Sequence, residues 1–189
     1  MDPLFTIFLD RFATDPPLTE HTRSEISQYL SVLHRKKKHI LFCENDRHDY
    51  AYFVIQGAVR SYYLKDGVEV NTWFALEKDM VGSLHTYQGK PSRVTLELVE
   101  DTTLVALQVK PVKSLAQTNL QVAHFIAAII EEHAYFLEDR LYFSQMMNSM
   151  DRYAAMLEKE PQLLQRIPLT YIASYLGISR ETLSRLRGK

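Results

Sequence analysis

The spacing of hydrophobic positions changes twice along this chain, and each change predicts a change of architecture. From Pro3 to Phe12 apolar and polar residues alternate in a way that suits a short amphipathic helix, and Asp15-Pro16-Pro17 ends it. Thr19 or Thr22 starts a second helix, which presents Ile26, Tyr29, Leu30 and Leu33 on one side. Then the period shortens. His39 to Cys43 is a β-type segment, and from Tyr50 to Gln108 the chain is cut into short β-rich runs: Tyr52–Ile55, Ala58–Leu64, Val68–Phe74, Arg93–Val99 and Thr103–Gln108. Gly57, Lys65-Asp66-Gly67, Gly82, Gly89-Lys90-Pro91 and Glu100-Asp101 separate them. Many short strands without intervening helices predict a sandwich or rolled barrel, whose cavity is a natural small-molecule site.

After Pro111 the helical period returns, with neither proline nor glycine before Pro161. A single helix is predicted from about Leu115 to Met146, roughly 45 Å long at 1.5 Å per residue. It carries two apolar faces. One steps through Leu115, Val122, Ile129, Phe136 and Phe143, and the other through Ala123, Ala127, Ile130, Ala134, Leu137 and Leu141. One face is enough to cover a helix's own domain, so the second, with its small alanines, predicts packing against the same helix of a second subunit. Asn148-Ser149 breaks this helix and caps the next, Met150 to Glu160, which turns Tyr153, Met156 and Leu157 inward.

The last twenty residues read as two short helices joined by a tight turn. Ile172 and Leu176 share one face, Ala173 leaves room for a crossing helix, Gly177 supplies a left-handed turn residue and Ile178 fills the corner. Ser179 is a good N-cap and Glu181 suits the positive end of the second helix, while Leu183 and Leu186 face inward. Arg180, Glu181, Ser184 and Arg185 remain as one outward stripe. Arginine can pair with guanine through two hydrogen bonds and glutamate can accept from cytosine, so the stripe suits a major groove. The spacing is that of a helix-turn-helix.

Composition changes this picture little. Over 189 residues the net charge is −1, with both signs mixed. From Pro161 onward, however, Arg166, Arg180, Arg185, Arg187 and Lys189 stand against Glu181 alone, a local positive excess. The lone cysteine, Cys43, rules out an internal disulfide framework and cysteine-rich metal sites and suits a reducing cytoplasm. No secretory signal is apparent, and the longest apolar run, Phe125 to Ile130, is far short of the ~20 residues of a membrane helix, so a cytoplasmic protein without membrane contact is expected. Arg35-Lys-Lys-Lys38 stands directly before a β segment and reads as a solvated strand start.

Three stretches carry a family likeness: Tyr52-Phe-Val-Ile-Gln-Gly-Ala-Val-Arg60, Asp79-Met-Val-Gly-Ser-Leu84 with Pro91-Ser-Arg93, and Ser179-Arg-Glu-Thr-Leu-Ser-Arg185. With them, the chain resembles the transcription regulators of the cyclic-AMP receptor protein and fumarate-nitrate regulator (Crp/Fnr) superfamily. Its short end also resembles a compact subgroup common in Bacteroidetes-type bacteria. The resemblance implies an α+β protein: a double-stranded β-helix (jelly-roll) sensor over residues 1–112, a dimerisation helix over 113–147 and a helix-turn-helix domain over 148–189. It implies a homodimer on a pseudo-palindromic site in double-stranded DNA, with RNA polymerase as a further partner. Arg180, Glu181 and Arg185 would read bases. Thr170, Ser179, Thr182, Ser184 and Lys189 complete the DNA-facing set, with Thr170, Thr182 and Ser184 as phosphate contacts.

The chain departs from the family at two places. Cyclic-nucleotide binders carry Gly-Glu-Leu and then Arg with a small hydroxyl residue, whereas here the cassette is Gly82-Ser83-Leu84, followed by Ser92, Arg93 and Thr95. With Ser83 in place of the glutamate, the ribose loses its acceptor, at a cost of about 1.5 to 3 kcal/mol. Glu138 and Asp139 stand where the hydroxyl pair that reads adenine would lie. A cyclic nucleotide is therefore the less favoured effector, behind another anionic or apolar small molecule, with no ligand as the third alternative. The Pro161–Pro168 segment is also too short for the β-hairpin that many relatives place before the helix-turn-helix.

Other classes fit less well. A cupin-type metal enzyme shares the roll but needs His-x-His ligands, and His85 stands alone. The same histidine would be the axial ligand of a haem sensor. No local Ser/His/Asp or Cys/His arrangement and no Gly-x-x-x-x-Gly-Lys loop is present, so no catalytic residue and no metal ligand is assigned. A ligand-binding module that signals through protein partners is the alternative to a DNA-binding regulator.

Overall fold

The computed structural model describes residues 1–12, 14–146 and 148–187. Helix α1 (Pro3–Arg11) starts where the Asp2 side chain accepts from the Leu4 amide, and it buries Phe8 and Leu9. Helix α2 (Glu20–Ser27) is capped by Thr19, whose hydroxyl accepts from the Thr22 amide. It is shorter than the hydrophobic spacing predicts. Leu30 and Leu33 lie instead in strand β1 (Leu30–Arg35), which pairs residue by residue from Leu30↔Leu107 to Arg35↔Thr102. A six-residue ladder outweighs another turn on an eight-residue helix.

Strands β2 (Ile40–Phe42), β3 (Tyr50–Gln56), β4 (Val59–Lys65), β5 (Val68–Ala75), β6 (Met80–Val81), β7 (Thr95–Leu98) and β8 (Thr102–Gln108) complete two four-stranded sheets. Their orders are β1-β8-β3-β6 and β2-β7-β4-β5, all pairs antiparallel, which is a jelly-roll. Phe42, Tyr52, Val54, Val59, Leu96, Leu98 and Leu104 fill the space between the sheets. Arg35-Lys-Lys-Lys38 ends β1 and turns towards β2, exposed throughout, with Lys36 paired to Asp101 at 2.7 Å. One short helix, α3 (Leu84–Tyr87), interrupts the strands and is capped by Ser83.

The long helix predicted from about Leu115 begins instead at Leu120, and a separate short helix precedes it. Helix α4 (Val109–Leu115) ends in a turn, and α5 (Leu120–Met146) begins where Asn119 Oδ1 accepts from the Gln121 amide at 3.0 Å. The other end of the Asn119 amide donates to Glu25 at 2.9 Å, so α2 fixes the break. The root of α5 buries Val122 and Phe125 against α1, α2 and the roll. Helix α6 (Ser149–Lys159) starts as predicted, with Asn148 Oδ1 accepting from the Met150 and Asp151 amides. Helix α7 (Leu163–Arg166) occupies the Pro161–Pro168 segment, and α8 (Leu169–Leu176) and α9 (Arg180–Arg187) follow. No helix among the described residues is long and apolar enough to cross a membrane.

Candidate nucleic-acid interface and effector cleft

The α8–α9 pair is built from local signals. At the end of α8 the Ile178 amide donates to Ala173 O (3.0 Å) and the Gly177 amide to Ser174 O (3.1 Å), closing a Schellman cap around Gly177 at φ +66°. A Cβ on Gly177 would meet only Arg152 Nη2, at 3.8 Å, so the backbone conformation and not crowding selects glycine. The Arg152 guanidinium donates twice to Leu176 O, satisfying an orphan carbonyl. Helix α9 starts at Ser179, whose hydroxyl accepts from the Thr182 amide at 3.1 Å. Hydrogen bonding to its own backbone amide and to Ser179 holds the Glu181 carboxyl below its ordinary pKa. Ile172, Ala173, Leu176 and Leu183 are buried between the helices and the outer face of the roll.

The outward stripe is free of the body of the molecule. Arg180, Glu181, Ser184, Arg185 and Arg187 are exposed, as is Thr170 on α8. Thr182 is half-buried, with its hydroxyl 3.2 Å from Ser179 Oγ and 3.3 Å from Arg185 Nη2. Lys189 lies outside the described residues. One member of the basic tail does not join this stripe: Arg166 donates to both Glu77 oxygens (2.6 and 2.8 Å) and both Glu100 oxygens (2.7 and 3.1 Å), on the roll. Its charge is consumed in docking the C-terminal helices. That role is invisible in the sequence, where Glu77 and Glu100 are far away.

Glu77 also accepts from the Gly57 amide at 2.8 Å. The Arg166 hydrogen bonds outweigh its partial burial and hold its pKa at about 2, against an ordinary 4.5. A depressed folded-state pKa means that the stabilisation is complete above the unfolded value and fades as pH falls from about 4.5 through about 2. The groups are 25% to 37% exposed and so partly screened by water, and Arg166→Ala should cost only about 1 to 2 kcal/mol in urea unfolding at pH 7. The variant should also lose less stability than wild type between pH 4.5 and pH 2. Identical acid profiles would mean that the contact contributes nothing.

The six cassette residues do not share one cavity. Gly82, Ser83 and Leu84 line a cleft against α4 and α5. Ser92 and Thr95 are buried elsewhere with their hydroxyls engaged: Ser92 Oγ donates to Val94 O (2.8 Å), and Thr95 Oγ1 accepts from the Glu44 amide (2.9 Å). Arg93 is exposed, and no ion pair holds it among the described residues. His85 Nδ1 lies 3.2 Å from Pro91 O. On α5, the face carrying Val122, Ile129, Phe136 and Phe143 packs on its own chain, while Ala127, Ala134, Leu137 and Leu141 are exposed.

Comparison with known proteins follows this geometry. The cyclic nucleotide-binding domain family matches residues 32–119. Curated protein sequences gave no match. Among solved structures, FixK2 from Bradyrhizobium japonicum superimposes with a TM-score of 0.72 at 25% identity, over 84% of this chain and 83% of that one. CLP, a c-di-GMP-responsive global regulator from Xanthomonas campestris, gives 0.71 at 20% identity over 90% of each chain. A protein assigned to the Crp/Fnr family from Eubacterium rectale gives 0.70 at 23% identity, over 89% of this chain and 82% of that one. Residues 32–119 therefore match the cyclic nucleotide-binding domain family, in a chain whose overall fold is that of FixK2 and of the Crp/Fnr-family protein from Eubacterium rectale.

Proposed function

We propose that this protein is a homodimeric DNA-binding transcription regulator in which α8–α9 is the helix-turn-helix and the roll senses a small molecule. One observation carries the reading: Arg180, Glu181, Ser184 and Arg185 form an exposed stripe on a helix whose opposite face is sealed by Leu183. In this reading Arg180, Glu181 and Arg185 read base edges, and Thr170, Thr182 and Ser184 contact phosphates. Ser179 holds the α9 N-terminus in place, and Lys189 adds positive charge. Residues 1–112 are the sensor, 113–147 the dimerisation segment and 148–189 the DNA-binding part. The exposed Ala127, Ala134, Leu137 and Leu141 of α5 form the seam with the same helix of a second copy. A two-fold axis along that seam presents two α9 helices to successive turns of a pseudo-palindromic site. The regulatory role of structures with this fold supports the reading.

Selection of bound duplexes from a random pool tests it, followed by binding to the winner over a range of salt. Arg185→Ala should lower affinity for the selected site by about 1 to 3 kcal/mol and relax base preference at one position. Lys189→Ala should instead flatten the salt dependence with preference retained. If no sequence is enriched, the alternative of signalling through a protein partner takes precedence. If Arg185→Ala weakens selected and random DNA equally, Arg185 is not a base reader.

A further inference from the structure

The cleft beside the cassette has a chemistry of its own. Met80 and Val81 of β6, Leu84 of α3, Val112 of α4 and Ile126 and Ile129 of α5 converge on it, and it is partly open to solvent. No lysine or arginine lines it. His133, at its edge, is pushed below its ordinary pKa by burial and so stays neutral near pH 7. A phosphate or carboxylate entering here would shed water and find no cation in the lining, since the nearby Lys113 ammonium is engaged by Tyr87, donating to its carbonyl at 3.1 Å and lying over its ring. An uncharged apolar body would lose nothing comparable and would gain the aliphatic contacts. The roll interior offers the contrast, because the core between the sheets is occupied by Phe42, Tyr52, Leu96, Leu98 and Leu104.

The cleft adjoins the uncovered face of α5. Ile130 lines it and lies on the same helical face as Ala127 and Ala134, which are exposed. We propose that this cleft binds a small uncharged apolar molecule, and that the α5 helix of a second copy, docked along Ala127, Ile130 and Ala134, closes its mouth. The second clause rests on the dimeric reading above, and the first does not. By linkage, a ligand held under that roof strengthens the dimer by the factor by which the dimer strengthens its binding.

The test uses two fluorophores of one shape, the uncharged N-phenyl-1-naphthylamine and the sulfonated 1-anilinonaphthalene-8-sulfonate, titrated onto the full chain. The uncharged probe should saturate at one per chain, and the sulfonated one should bind at least about tenfold more weakly. Leu84→Asp puts a charge on the rim, and Ile126→Trp fills the cleft. Each should weaken the uncharged probe by about tenfold or more, with circular dichroism unchanged. Leu64→Asp, 58% exposed at the β4–β5 hairpin, should leave it alone. Equal binding of the two probes, no saturable binding, or indifference to Leu84→Asp would overturn the ligand assignment. Sedimentation with and without saturating probe reads the closure: self-association should tighten, and an unmoved dimer constant overturns that clause. Probe binding that persists in a protein with no operator preference would sink the regulator reading and leave the cleft standing.

Discussion

Phe125→Ala is expected to lower the unfolding free energy by about 3 to 5 kcal/mol. The side chain is fully buried at the root of α5, edge-on to Phe8 (centroids 5.5 Å apart) and to Phe12 (6.2 Å), and both of those rings pack on Phe53 of β3. These four rings come from α1, the residue that ends it, the roll and α5, and they share one core. Truncation leaves a cavity that three separate elements would have to move to close, and edge-to-face contacts worth about 0.5 to 1.5 kcal/mol each vanish with it. Against a domain stability of about 5 to 15 kcal/mol that is a large fraction. The consequence reaches beyond the core, because the same rings anchor the helix that links the roll to the C-terminal helices. Urea unfolding with an unchanged m-value measures the cost. Tyr135→Ala, on the same helix but 72% exposed, should change stability by less than about 0.5 kcal/mol. A Phe125 variant within about 1 kcal/mol of wild type would show that the rings repack independently and that this core is not the anchor.

The features legible in the sequence are those whose cause lies within a few residues. Asn148 capping α6, Ser179 capping α9 and Gly177 in the left-handed turn are each selected by the backbone beside them. The outward stripe of α9 is legible for the same reason, since eight residues of helix define both its buried and its open face. What sequence spacing could not settle was decided from far away. Ile26, Tyr29, Leu30 and Leu33 fit a helical stripe, and only pairing with β8, some seventy residues later, makes Leu30–Arg35 a strand. The break before α5 had a local sign in Asn119, but its reinforcement comes from Glu25 on α2. Cassette residues that are close in sequence separate in space. Gly82–Leu84 turn towards α5, while Ser92 and Thr95 serve the backbone around β7. The cleft itself needed four segments to be brought together before its lack of charge could be seen.

Arg60→Met should be as costly as Phe125→Ala, about 3 to 5 kcal/mol, for an electrostatic reason. Arg60 stands on β4 with 2% of its surface exposed, and its guanidinium is sandwiched between Tyr62 (4.1 Å to the ring centroid) and Tyr171 of α8 (3.9 Å). One amino group pairs with Glu69 and the other with Glu97 at 2.9 Å. Only a planar fork meets two carboxylates while stacking between two rings, so Arg60→Lys would restore little. Methionine in its place leaves Glu97, 13% exposed, without a counter-charge, whereas Glu69, 41% exposed, can turn to water. The penalty is therefore mostly an abandoned carboxylate, and Arg60→Met with Glu97→Met should recover most of it. Orientation should not recover with stability. Tyr171 and Ser174 are the polar points where α8 meets the roll, beside the apolar contact of Tyr175 with Phe74: Ser174 Oγ accepts from the Asn71 amide at 3.0 Å and donates to Glu69 O at 3.1 Å, beside the same guanidinium. Since α8 lies under α9, the double variant should fold stably yet bind the selected operator more weakly, because α9 is no longer held at one angle. Urea unfolding and operator titration on the three proteins separate these effects. A single Arg60→Met variant as stable as wild type would mean that water reaches Glu97. A stable double variant with full operator affinity would mean that the α8–roll contact does not set the angle of α9.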